Sequence, residues 1–117
     1  MTIASEAKPK VAKYFAFFAE GKPQSADPML AVFDEIFSKD FKINTGPGGE
    51  KNFDEWRAAA KEMMEKGMKI EVTELEEDGE KGLKCSATRT VPGGEPKPSI
   101  ASATLDDAGK IAYIKPV

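Results

Sequence analysis

The spacing of apolar residues changes once along this chain, at Gly67. Before it they recur three and four positions apart, and after it they alternate with polar ones, so helices are expected first and strands second. Val11, Tyr14, Phe15 and Phe18 share one helical face; Ser5 can cap that helix, Pro9 is tolerated in its opening turn and Gly21 stops it. Asp27 followed by Pro28 reads as an N-cap with proline at the first helical position, opening a second helix with Met29, Leu30, Phe33, Ile36 and Phe37 on its inner face. Phe41 and Ile43 flank Lys42 in one short strand, which runs into a turn at Pro47, Gly48 and Gly49. Asn52 with Glu55 three residues on forms a capping box for a third helix, whose inner stripe is Phe53, Trp56, Ala60, Met63 and Met64.

Beyond Gly67, Met68, Ile70 and Val72 alternate with Lys69, Glu71 and Thr73. Strict alternation would next turn Glu74 inward, and a bulge that hands the inner position to Leu75 is the expected remedy. The acidic stretch from Glu76 to Glu80 reads as a hairpin loop. The following strand places Leu83, Cys85, Ala87, Arg89 and Val91 on one face and Lys84, Ser86, Thr88 and Thr90 on the other. Pro92 to Pro98 is a connection rich in proline and glycine, followed by strands from Ser99 to Leu105 and from Lys110 to Lys115 around a turn at Asp106 to Gly109. The expected architecture is one α+β domain over residues 1–117, in the order α-α-β-α-β-β-β-β, with three helices packed on a curved, mainly antiparallel sheet. A twisted sheet curling around helices makes a cone, and its open end is a natural pocket.

Composition removes several functions. With 17 basic and 20 acidic residues the net charge is -3. Nucleic-acid binding is not expected, because it depends on clustered Lys and Arg that displace counterions. No apolar run is long enough for a membrane span. Cys85 is the one cysteine, so no internal disulfide can form. A cytoplasmic setting is expected, or an organelle if a transit peptide has been removed. Histidine is absent, which excludes Ser-His and Cys-His nucleophile pairs and imidazole zinc ligands. No metal and no cofactor are expected. Any proton transfer falls to a carboxylate, a tyrosine, a lysine or the thiol.

Four strings in order, KYFAFFAEGK, MLAVFDEIFSKDFKINTGPGG, FDEWRAAAKEM and LDDAGKIAYI, resemble the SnoaL-like and ketosteroid-isomerase-like branch of the nuclear-transport-factor-2-like superfamily over nearly the whole chain. The resemblance implies an α+β cone, a pocket between helices and sheet, and a homodimer packed through the outer sheet face. It puts Tyr14 where that family's oxyanion-hole tyrosine lies. Asn44 stands near the position of the general-base aspartate, and Ala101 near that of the protonated acid. One residue of three matches, so steroid isomerisation is not expected, and the His-Asp chemistry of the dehydratase and cyclase relatives is also missing.

The candidate catalytic residues are therefore Tyr14, to polarise a carbonyl, and Asp34, to move a proton. Phe18, Phe33, Asn44, Trp56, Cys85 and Arg89 are the candidate ligand contacts. Alternation turns Arg89 toward the face of Leu83, Cys85 and Ala87, where it must be paired or reach the mouth of the cone; Asp34 is a possible partner, and a ligand carboxylate another. Two functions fit: a protein binding a small apolar or carbonyl-containing molecule, either as a binder alone or as an isomerase or cyclase, and a noncatalytic interaction module with a filled cone and a homodimer through the sheet.

Overall fold

The computed structural model describes residues 2–117. Helices α1 (Ile3–Ala16) and α2 (Asp27–Ile36) come first, followed by strands β1 (Phe37–Asn44) and β2 (Glu50–Asn52), helix α3 (Phe53–Lys66), and strands β3 (Lys69–Glu77), β4 (Gly82–Thr90), β5 (Lys97–Leu105) and β6 (Ile111–Pro116). They form a six-stranded sheet in the order β2-β1-β6-β5-β4-β3. Neighbouring strands are antiparallel except β1 and β6. No helix among the described residues is long and apolar enough to cross a membrane.

Five details differ from the sequence reading. Thr2, not Ser5, caps α1; Ser5 is the reciprocal partner of that capping box, which starts the helix earlier. The helix ends at Ala16, and turns carry the chain on to Gly21. Ala26 occupies the N-cap of α2 without a side-chain bond, and Asp27 is the first helical residue, where a carboxylate favours the helix dipole. Phe37 belongs to β1 rather than to α2, because the chain turns extended there at φ -98° and ψ 136°. The strand β2 was not anticipated: its three residues carry no apolar alternation, and β1 supplies their pairing.

The other local devices form as read. Asn52 and Glu55 exchange capping bonds of 3.0 and 3.1 Å at the start of α3. Gly67 closes that helix in the left-handed region at φ 85°, and a Cβ there would sit 2.7 Å from Pro23 Cδ, so only glycine fits. The β3–β4 register shifts between Val72 and Glu74, and the bulge leaves Glu74 exposed and Leu75 half-buried opposite Cys85.

The core lies between the helices and the concave sheet face. Tyr14, Phe18, Phe33, Phe37, Phe41 and Phe53 are all buried at its centre. Tyr14 meets Phe15, Phe18, Phe33 and Phe37 edge-on at 5.1, 5.6, 6.0 and 5.5 Å between centroids. Phe33 stacks on Phe37 at 4.1 Å, and Phe41 and Phe53 extend the cluster. Each such pair contributes roughly 0.5–1.5 kcal/mol beyond its buried area. The centre of the cone is therefore filled by its own rings.

Candidate ligand site

The first candidate, Tyr14, is 4% exposed, and its hydroxyl has no hydrogen-bond partner among the described residues. Burial pushes its pKa well above the ordinary tyrosine value, so it is a neutral donor at any physiological pH.

Asp34 is on the outer side of α2. Both its oxygens accept from Arg57 of α3, Nε to Oδ1 at 2.8 Å and a terminal nitrogen to Oδ2 at 3.0 Å. The Arg57 hydrogen bonds hold its carboxyl below the usual aspartate range, against a smaller opposing effect of burial. Of the two partners offered for Arg89, Asp34 is taken by Arg57 instead. The two arginines were indistinguishable by charge, and α2–α3 packing decides for Arg57, which lies on the neighbouring helix.

Phe18 and Phe33 are in the aromatic centre, Trp56 is half-buried beside it, and Cys85 is half-buried on the concave face of β4. Burial raises the Cys85 thiol, which makes it a weak nucleophile. Asn44 is exposed at the end of β1, where its side chain accepts from the Gly46 amide at 2.8 Å in a turn. Tyr14, Phe18 and Phe33 are thus brought together, whereas Asn44 and Asp34 are engaged in surface structure elsewhere.

A groove of about 310 Å³ lies between α3 and the ends of β3 and β4, lined by Ala59, Met63, Met68, Val91 and Pro92, with Glu62 and Lys66 also on its wall. Those two charged residues pair with each other at 2.5 Å, leaving a mainly apolar floor. Val91 is half exposed there.

Arg89 precedes Val91 by two positions and is exposed. It pairs across the ladder with Ile70 on one side and Lys97 on the other, so these three share one row of the sheet. Of the groove residues on α3, only Met63 was legible, as part of the helix's apolar stripe. Lys97 was missed because it was taken for part of the β4–β5 connection.

Solved structures share this arrangement of helices and sheet. A SnoaL-like family protein from Agrobacterium tumefaciens, assigned as an isomerase, matches with 13% identity and a TM-score of 0.68 over 95% of this chain and 96% of its own. An epoxide hydrolase of the LEH-like type from Mycobacterium tuberculosis matches at 11% and 0.72 over 96% and 81%. The chain has the nuclear-transport-factor-2-like fold. Protein RV0760c of M. tuberculosis, solved in complex with estradiol-17β-hemisuccinate, matches at 11% and 0.68 over 99% and 93%. No family model matches the sequence, and no curated protein matches it. At these identities the likeness is one of fold, and site residues must stand on their own geometry.

Proposed function

We propose that this protein binds a small, largely apolar molecule at the mouth of the cone, in the groove between α3 and the β3 and β4 ends. The observation that carries the reading is the groove's floor of Met63, Met68, Val91 and Ala59, beside a centre already closed by aromatic rings. Methionine-rich apolar surfaces adapt to ligands of varied shape. Binding is also the property that the complex of RV0760c displays on the same fold.

An isomerase or cyclase reaction would require a proton-transfer pair. Tyr14 is a competent neutral donor and Asp34 is occupied by Arg57, so the proposal stops at binding. The test is calorimetric titration with decan-1-ol of the native protein and of Ala59→Trp, which fills the groove from its α3 wall. Binding to the native protein and its loss in the variant, with an unchanged melting temperature, is the expected result. Equal binding by both would move the site elsewhere.

The filled centre also favours the second reading, an assembly module. Ile100 and Val117 stand exposed on the outer side of β5 and at the chain's end, joined by a 3.0 Å hydrogen bond from the Val117 amide to the Ile100 carbonyl. Ser86 is opposite Ile100, which leaves a surface of small and apolar residues suited to sheet-on-sheet packing in a homodimer. Sedimentation velocity checks this: a single monomeric species at high protein concentration would rule out the dimer.

A further inference from the structure

Arg89 and Lys97 occupy directly opposed positions in the β4–β5 ladder. Directly opposed residues of an antiparallel pair have Cα atoms about 4.5–5.5 Å apart and side chains on the same face. Two like charges so placed repel each other. Neither forms an ion pair among the described residues, and Glu62, the acid on the nearby groove wall, is bound to Lys66.

An arrangement that costs stability without a structural return is the pattern of a binding site. Arg89 stands two positions before the groove residue Val91, in one ladder row with Ile70 and Lys97, so the two exposed cations neighbour the apolar floor. Guanidinium presents a planar fork that matches a carboxylate, and an ammonium adds a second donor.

We infer that the ligand is an amphipathic monocarboxylic acid, its carboxylate held between Arg89 and Lys97 and its apolar body lying along Val91, Met68 and Met63. The inference rests on the groove reading above and adds the ligand's chemical class. It needs no change in the protein's overall negative charge, because the attraction is local: Debye screening at physiological salt confines it to about 8 Å.

The experiment is calorimetric titration of the full chain with decanoate and with decan-1-ol, which share a chain and differ in charge, at low and high salt. Decanoate is expected to bind roughly five- to tenfold more tightly, from two partly exposed charge contacts, and this preference should shrink with salt. In the double variant Arg89→Gln with Lys97→Gln the preference should collapse, the two ligands binding alike. Both side chains are exposed, so the variant should keep the native melting temperature or exceed it. Equal binding of acid and alcohol by the native protein would overturn the acid assignment and leave the groove intact. A preference for decanoate that survives in the double variant would overturn the role of these two cations. Failure of both ligands to bind would overturn the groove reading and, with it, this inference.

Discussion

The centre of the cone and its mouth are built from the same kinds of residue and behave differently. At the centre, Phe33 and Met29 are fully buried, and the rings around Tyr14 interlock edge to face. At the mouth, Met63 and Met68 are half-buried and Val91 is half exposed, against a groove instead of another side chain. Apolar surface of the first kind is spent on folding, since each buried methylene contributes about 0.8 kcal/mol. Surface of the second kind remains available to a ligand. A polar group follows the same division: Asp34 is satisfied by Arg57 within the fold, whereas Arg89 is left open beside the groove.

The comparison is broken most forcefully at Phe33. Phe33→Ala should cost about 3–5 kcal/mol of unfolding free energy in urea, by lost transfer and a cavity. Met63→Ala, at the mouth, should cost about 1 kcal/mol or less, below the range for fully buried methionines, while weakening decan-1-ol binding. Equal costs would mean that the mouth is as tightly packed as the centre.

A smaller effect is expected at Tyr14. Tyr14→Phe removes a hydroxyl without a protein partner, so stability should change by under about 1 kcal/mol, in either direction. A loss above about 2 kcal/mol would reveal a hydrogen bond within the core.

The smallest effect belongs to the Asp34–Arg57 fork, whose side chains are 41% and 36% exposed. Asp34→Asn should cost about 0.5 kcal/mol at neutral pH after solvent screening. Because Arg57 lowers the Asp34 pKa in the folded protein, the native pair's contribution is complete above the ordinary aspartate range and is lost as acid protonates the folded carboxyl. The native and variant stabilities, measured against pH, should therefore converge in acid; a constant gap would show that Asn disturbs packing instead.

Much of the fold was legible because local chemistry and burial agree. The Asn52–Glu55 box, the Gly67 stop and the bulge before Leu75 each follow from residue type and parity. The strand β2 was illegible, since Glu50, Lys51 and Asn52 have no apolar pattern and depend on β1. The resemblance in sequence anticipated the fold. The groove was hidden for a different reason. It joins α3 to residues from the ends of β3 and β4, and the opposition of Arg89 to Lys97 depends on a register that the length of the Pro92–Pro98 connection obscures.

The methionines provide the most direct test of where a ligand sits, because Met29 and Met64 are buried in the core while Met63 and Met68 line the groove. In a methyl NMR titration with decan-1-ol, the Met63 and Met68 methyl signals should shift progressively while those of Met29 and Met64 stay in place. Shifts concentrated at Met29 and Met64 would show that the ligand enters the aromatic centre and would contradict the division of the cone into a closed core and a binding mouth.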